Sequence, residues 1–530
     1  MAGDALARKI RVQPDPAVVR LSSPFMEYEA VIGLETHVQL KTKSKMWCGC
    51  ANAFGAAPNT HVCPVCLGLP GVLPVPNEEA LRLTVLTGLL LHGEIPRHAK
   101  FDRKNYFYPD ASKNYQLTQY DQPSTAHGHV DFEFNGPGST DGLARVRITR
   151  AHLEEDVGKL THFDRHSGVD FNRAGVPLLE IVSEPDLTSA DMAHAYLNTL
   201  IEILHQGGIS DCDMEKGMVR CDVNISVRPK GTTGLGAKIE IKNMNSFSGV
   251  RRAAEYEIAR QIEVVSQGGK LVQSTRRWDD VAGITEEMRT KEHAHDYRYF
   301  PEPDLMPMQP SDDWIAAVRT RLVELPLVRK QRLMRDYQLP AGDAEVFRGN
   351  VELGRYFENV AKRAKNSKAI ANWVINNLQA KLAEENERNR QGQEAEQFEN
   401  PQSTIRNPQS QPLTLTDLRF QPAALLDLVA LVENKTISNS AAQTVFAEMF
   451  ATGQAPAAIV QEKGLAQVSD AGALEKFCDD ALAANPAAVA DYRAGKLAAL
   501  NSLKGQVMKL SKGKANPALV GEMLERKLKG

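Results

Sequence analysis

Long apolar runs are missing from this 530-residue chain. The greasiest stretch, residues 81–91, is interrupted by Arg82, Thr84 and Thr87 and is far shorter than the roughly 20 residues that a membrane-spanning helix needs. Residues 1–27 carry Arg8, Lys9, Arg11 and Arg20 but no apolar h-region, so no secretory signal is expected and a soluble, cytoplasmic protein is. A charge excess of either sign is also missing. With 63 Lys+Arg against 66 Asp+Glu there is no global nucleic-acid signature, and any RNA contact must come from a local patch. Aromatic residues are only 6 %, but the hydrophobic share of 42 % suffices for ordinary cores and argues against global disorder. Neither Gly-x-x-x-x-Gly-Lys-Ser/Thr nor Gly-x-Gly-x-x-Gly occurs, which excludes a P-loop or a Rossmann fingerprint as the nucleotide site. There is no Gly-x-Ser-x-Gly elbow and no serine-rich amidase-type nucleophile run.

Cysteine is scarce, yet four of the seven lie together, as Cys48-Gly-Cys50 and Cys63-Pro-Val-Cys66. This is ribbon or knuckle spacing for tetrahedral Zn²⁺ held by thiolates. Disulfides are the competing reading, and they fit poorly with a chain that looks cytosolic. Four thiolates leave no open position on the metal, so the zinc is expected to be structural. Cys212, Cys221 and Cys478 are scattered and read as core filler.

The character of the chain changes along its length. The first ~300 residues mix strands, short helices and Gly/Pro turns. Residues 312–336 and 343–378 read as amphipathic helices, the first broken at Pro326. Residues 384–412 are polar and repeat Asn-Pro-Gln-Ser at 400 and 407, which predicts a solvated loop. After a break at Lys463-Gly464 comes a last small unit. From Lys504 onward it holds Lys504, Lys509, Lys512, Lys514, Arg526, Lys527 and Lys529 against Glu522 and Glu525. That is either a solvated helix face or a phosphate-backbone patch.

Three segments alternate with period two. In residues 29–40, Ala30, Ile32, Leu34, Val38 and Leu40 oppose Glu35, His37 and Gln39. In residues 219–228, Cys221, Val223, Ile225 and Val227 oppose Arg220, Asp222, Asn224 and Ser226. In residues 238–242, Ile239 and Ile241 oppose Lys238, Glu240 and Lys242. Plain solvation explains one such face. If the three adjoin, they form a basin of hard oxygen ligands beside cations, suited to Mg²⁺ and phosphate. More carboxylates are expected in short turns: Glu154, Glu155 and Asp156 after the strand-like run 144–148, and Glu180 within an apolar run, where a charge is costly unless paired or metal-bound. The segments 101–110 and 296–304 mix aromatics with both charge signs and suit stacking on a base.

In order, Val31-Ile-Gly-Leu-Glu-Thr-His37, Lys100-Phe-Asp-Arg-Lys-Asn-Tyr-Phe-Tyr-Pro-Asp110, His152-Leu-Glu-Glu-Asp-Val-Gly-Lys159, Glu180-Ile-Val-Ser-Glu-Pro-Asp186, Arg220-Cys-Asp-Val-Asn-Ile-Ser226 and Asp296-Tyr-Arg-Tyr-Phe-Pro-Glu-Pro-Asp304 closely resemble the B subunits of aspartyl/glutamyl-tRNA(Asn/Gln) amidotransferases. The similarity runs from about residue 27 to the end. It leaves residues 1–26 as a flexible extension and 384–412 as an insertion, and the cysteine quartet occurs in only part of that family.

The resemblance implies an α+β protein: an antiparallel-sheet cradle (27–307) with a zinc knuckle at 48–66, an all-α domain (308–464), and a small helical tRNA-binding tail (465–530). It implies ATP-dependent phosphorylation of the side-chain carboxylate of Glu-tRNA(Gln) or Asp-tRNA(Asn), then amidation by ammonia. The ammonia would come from an amidase A subunit held by a small C subunit, in keeping with the missing amidase nucleophile. The implied Mg²⁺ ligands are Glu35, His37, Glu154 and Glu180, although His37 could instead orient a metal-bound water. Lys238, Lys242 and Arg220 are the expected phosphate clamps. Asp222, Asn224 and Glu240 are the expected nucleotide contacts, and Lys509, Lys512 and Lys514 the expected tRNA contacts. Two alternatives compete with this reading. A non-catalytic RNA-binding scaffold predicts that Glu35 is dispensable, and a self-sufficient metallohydrolase predicts turnover without ATP or tRNA.

Overall fold

The computed structural model describes residues 27–244, 246–290, 297–399, 412–467, 471–511 and 514–529. The extension 1–26, residues 400–411 of the insertion, Asp296 and Lys512 lie outside these. The chain divides into two compact units, with the boundary between Val323 and Glu324.

The first unit is built on β1 (Tyr28–Gln39), α1 (Glu78–Leu90), β2 (Asp102–Asn105), β3 (Tyr115–Thr118), β4 (Thr125–Glu133), β5 (Leu143–Glu155), β6 (Lys159–His162), β7 (Ser167–Asp170), β8 (Pro177–Ser183), α2 (Ala190–Gln206), β9 (Val219–Pro229), β10 (Ile239–Lys242), α3 (Phe247–Ser266), β11 (Ser274–Asp279), β12 (Ile284–Thr290), β13 (Phe300–Pro301) and α4 (Asp312–Arg319). Eleven strands form one sheet in the order β12-β11-β10-β9-β1-β8-β5-β3-β2-β13, with β4 also on β5, while β6 and β7 pair separately. Neighbours are antiparallel except β10 and β11. A parallel pair needs a long crossover, and α3 supplies it.

The expected alternation produces these strands. Ile32, Leu34, Val38, Val223, Ile225, Ile239 and Ile241 are all buried, each contributing about 1.5–3 kcal/mol relative to exposure. Helices α2 and α3 pack together, and their N-termini are fixed by Ser189 and Ser246, whose hydroxyls accept from the N–H of Met192 and Gly249.

Two expected turns are strand instead. β5 continues through Glu155, and Glu180 sits in the middle of β8. The apolar partners in β5, Ala151 and Leu153, keep period two going beneath Arg150, His152 and Glu154, so the strand does not stop where the charges begin.

Helix α4 stays with the first unit. Its Asp312 pairs with Arg97, and the Trp314 ring lies under the Arg82 guanidinium, 5.1 Å away.

The second unit is helical. As expected, the first amphipathic stretch breaks before Pro326, where a new helix runs Pro326–Asp336. The expected single helix over 343–378 is instead three, Ala341–Gly349, Val351–Ala361 and Ser367–Trp373, followed by a π-helical stretch Val374–Gln379. Asn350 and Asn366 accept from Leu353 N–H and Ala369 N–H, and these caps restart the helix against the hydrophobic periodicity. The solvated loop expected from residue 384 is helix up to Glu399. Pairs three and four residues apart, among them Lys381–Glu385 and Arg388–Glu385, support it without an apolar face.

One core runs from Leu333 to Val460. The tail has its own core of Leu474, Cys478, Leu503, Val507, Val520 and Leu524. There Lys527 is taken up by Glu475 and Asp479, while Lys509 and Lys514 are exposed.

Candidate active site

The three charged faces adjoin, and β1 is their axis. His37 stands opposite Glu180 on β8 and Arg220 on β9, and Glu35 stands opposite Asp222 on β9. Glu240 on β10 is opposite Asn224. On the far side His152 of β5 is opposite Glu180, with Glu154 two residues on. Residues two apart share a face, so one surface carries them all.

These side chains fall into two groups whose ligand atoms lie within 4.8 Å of one another: His37, Glu154 and Glu180, and Glu35, Asp222 and Glu240. The expected ligand set is thus divided, with Glu35 joining Asp222 and Glu240. In the first group His37 Nε2 lies 3.2 Å from Glu180 and 3.6 Å from Glu154, and His152 Nε2 lies 3.6 Å from Glu180. In the second, Asn224 donates to Glu35 (2.8 Å), and Lys242 Nζ lies 2.5 Å from Asp222 and 3.3 Å from Glu240. Thr275 donates to the other Glu240 oxygen. Lys238 lines a 190 Å³ cavity beside Gly33, Glu35 and Asn224.

The electrostatics follow from burial among charges. Burial lowers the proton affinity of His37, but the hydrogen bond and charge of Glu180, with Glu154 and Asp222, override it and push the imidazole up to about 9. Burial and the Glu180 charge raise Glu154 to about 7. Glu180 goes the other way. Burial opposes its ionisation, and the surrounding His152, His37 and Lys104 hold it well below the usual range. Burial drives His152 down to about 4, so it is a neutral ring at pH 7. Burial opposes the Lys242 charge too, and Asp222 and Glu240 keep it protonated.

Arg220 is aimed by a residue that sequence reasoning did not assign to the site. Asp156, only 3 % exposed, receives Arg220 at 2.9 Å, Arg173 at 2.9 Å and the Gln39 amide at 2.9 Å. Sequence reasoning also missed His152, Arg150 and Lys104. The continued alternation of β5 would have exposed the first two, since both lie on the Glu154 face. Lys104 comes from β2, and only the strand order brings its charge to Glu154 and Glu180. The two aromatic segments adjoin as β2 and β13, and Tyr120 and Tyr299 stack with centroids 4.0 Å apart. Burial, then the neighbouring Tyr120 and the charge of Glu180, oppose ionisation of the Tyr299 hydroxyl.

Both donor sets fit the expected metals. Each carboxylate group offers hard oxygens, as Mg²⁺ requires, with one imidazole in the first. The sulfurs of Cys48, Cys50, Cys63 and Cys66 lie within 4.8 Å of one another. The Cys63 and Cys66 sulfurs are 3.9 Å apart, too far for a disulfide and close to the ~3.8 Å edge of a tetrahedron with 2.3 Å Zn–S bonds. The Cys63 N–H donates to Cys66 Sγ, which turns the knuckle.

Residues 30–316 match the family model described as the GatB/GatE catalytic domain, and residues 401–528 match the GatB domain. The chain is 49 % identical to the B subunit of the aspartyl/glutamyl-tRNA(Asn/Gln) amidotransferase from Methylacidiphilum infernorum, over 95 % of this chain and 99 % of that one. It is 48 % identical to the protein of that name from Caldicellulosiruptor saccharolyticus (95 % and 99 % covered) and 49 % identical to that from Moorella thermoacetica (95 % and 100 %). A catalytic-domain match over most of the sheet unit, with near-half identity along almost the whole length, places the chain in the family of aspartyl/glutamyl-tRNA(Asn/Gln) amidotransferase B subunits.

Proposed function

We propose that this chain activates the side-chain carboxylate of mischarged Glu-tRNA(Gln) or Asp-tRNA(Asn) with ATP and passes the product to ammonia. The observation that carries this reading is the pair of adjoining carboxylate groups, flanked by Lys242, Arg220 and Lys104, on one face of the sheet. A carboxylate oxygen of the aminoacyl group attacks the γ-phosphorus and ADP leaves. Ammonia then attacks the acyl carbon and phosphate leaves, giving the amide. Such transfer needs positioning and neutralisation of phosphate charge more than covalent help. Mg²⁺ held by His37, Glu154 and Glu180, and by Glu35, Asp222 and Glu240, would supply that neutralisation. Lys242 and Arg220 hold the phosphates, and the cavity beside Gly33 and Lys238 receives the nucleoside. Tyr120 and Tyr299 offer a stacking surface for the terminal adenosine of the tRNA.

The sequence has neither a Gly-x-Ser-x-Gly elbow nor a serine-rich amidase-type run, and in this reading ammonia comes from an A subunit, with a small C subunit completing a heterotrimer. Among the described residues no helix is long and apolar enough to cross a membrane; the cytoplasm is the proposed place of work. The test is phosphate release from ATP by the assembled complex, with and without Glu-tRNA(Gln), repeated with Glu35→Ala. Cleavage that requires the charged tRNA and disappears in the variant supports the reading. Cleavage that survives moves the metal site elsewhere.

Two further results are expected. Gly33 lines the cavity, and a Cβ there would meet Pro185 Cα at 3.6 Å, so the branched side chain of Gly33→Val protrudes into the nucleoside space. The KM for ATP should rise at least about tenfold, with tRNA affinity unchanged by filter binding, because a methyl group or two of overlap costs ~1–3 kcal/mol. In the tail, Lys509→Ala with Lys514→Ala should weaken tRNA binding. It should also reduce the slope of log K against log salt by roughly 0.7–0.9 per lost phosphate contact. An unchanged slope would assign those lysines to the solvated face.

A further inference from the structure

We propose that Lys45 is the counter-cation of the four-cysteine metal centre, tuning how tightly the centre holds a thiophilic divalent ion; this rests on the zinc reading of the quartet. Lys45 is completely buried, among the largest fully buried side chains of the protein. Its ammonium donates to the Phe171 carbonyl at 3.1 Å. Among the described residues no carboxylate lies within ion-pair distance of it. Glu155 receives the Lys113 ammonium and the Leu117 N–H on Oε1, and its Oε2 lies 3.9 Å from where a Cβ on Gly175 would sit, beside the Lys45 stem but forming no ion pair with the ammonium. A buried ammonium with one neutral acceptor is costly unless an anion lies close by.

The anion is the metal centre. A divalent cation with four thiolates carries a net charge of −2, the largest local charge in such a site. Gly175, with φ of +81°, marks where the two meet. A Cβ at this position would lie 3.7 Å from Cys66 Cβ and 3.8 Å from Lys45 Cδ, so the cysteine and the lysine stem flank the same point of backbone. The chain is pinned there. The Lys45 N–H donates to the Cys50 carbonyl (3.0 Å), and the Met46 N–H donates to the Gly175 carbonyl (2.7 Å). Lysine burial and metal loading therefore support each other: the thiolates compensate the ammonium, and the ammonium offsets half of the excess charge that four thiolates impose on the ion.

The test uses the full chain purified with zinc, and the transfer of that zinc to a chromophoric chelator. Lys45→Met and Lys45→Gln remove the charge at similar volume, and Lys45→Arg keeps it. The neutral variants should surrender zinc 10- to 100-fold more readily than the parent, the range typical of outer-shell partners, with Lys45→Arg nearer the parent. The cobalt(II)-loaded neutral variants should keep the thiolate-to-metal absorption of a four-sulfur site, because the ligands are untouched. Far-UV circular dichroism selects whichever neutral variant folds. Zinc retention equal to the parent in a folded neutral variant overturns the role of Lys45 and leaves the metal centre standing. A parent chain that carries no zinc and takes up none overturns both.

Discussion

Glu180→Gln is expected to lower tRNA-dependent ATP cleavage by about 10²- to 10³-fold, the scale reached when one charge-stabilising group is removed from a preorganised site. The argument starts from β8. Leu178, Leu179 and Ile181 are buried, so the strand is held by its apolar neighbours whether or not residue 180 is charged. Glu180 faces His37 at 3.2 Å and His152 at 3.6 Å, with Glu154 completing the group. Glutamine preserves the volume and removes the negative charge that the group presents to a cation. His37 also loses its ion-pair partner, so the imidazole, held near 9 by Glu180 and its neighbours against burial, should titrate lower. Two readouts follow: single-turnover ATP cleavage, and the His37 titration by NMR in the metal-free chain. The glutaminase activity of the proposed A subunit should persist. Near-parental ATP cleavage with a shifted His37 would mean that the group is a structural ion pair and that the chemistry belongs to the Glu35, Asp222 and Glu240 group.

Asp156→Asn should cost both stability and rate. Asp156 is buried and holds two arginines and Gln39 from three different parts of the chain. Removing one member of a buried ion pair costs ~3–5 kcal/mol, but Arg173 and Arg220 keep side-chain exposures of 31 % and 45 % and can turn to water, so about 2–3 kcal/mol is expected. Arg220 would lose its aim, giving a fall in kcat of roughly 10- to 100-fold, of the kind that misplacement by about an ångström produces.

The pH dependence has a definite sign. Burial would raise the Asp156 carboxyl, but Arg220, Arg173 and Gln39 hold it below the ordinary carboxylate value. A folded-state value below the unfolded one contributes stability above about pH 4, and that contribution is lost as the pH falls through the folded value. Denaturation curves of parent and variant should therefore differ at neutral pH and converge in acid. A gap that persists at about pH 2, below the unfolded carboxylate range, would show that the cost is steric.

The cysteine knuckle bears on the same network. The Gly175 N–H donates to the Asp156 carbonyl at 2.9 Å, and the Gly175 carbonyl accepts from Met46. The backbone that sets Asp156, and through it Arg220, is thus continuous with the backbone that carries the four cysteines.

Much of this site is legible in the linear chain because a strand writes its faces into alternate residues. Glu35 and His37, Arg220 and Asp222, and Glu240 and Lys242 are all identifiable from period two alone, as is the cysteine spacing. Glu180 is marked by a charge inside an apolar run. The end of β5 misleads because carboxylates in succession resemble a turn, although Ala151 and Leu153 continue the pattern underneath. The helix from Ala380 misleads for the opposite reason, since its support comes from charge pairs and leaves no apolar stripe.

Local composition and periodicity were enough to determine the strand faces, the clustering of four cysteines and the chemical character of the basin, since each depends on residues close together along the chain. The partition of the carboxylates into two groups, the stacking of Tyr120 on Tyr299, the clamp of Asp156 on Arg220, and the burial of Lys45 beside Gly175 were decided only by tertiary structure. Each depends on strand order and register. These are set by how eleven strands bury one apolar face together, a collective property that no single segment carries.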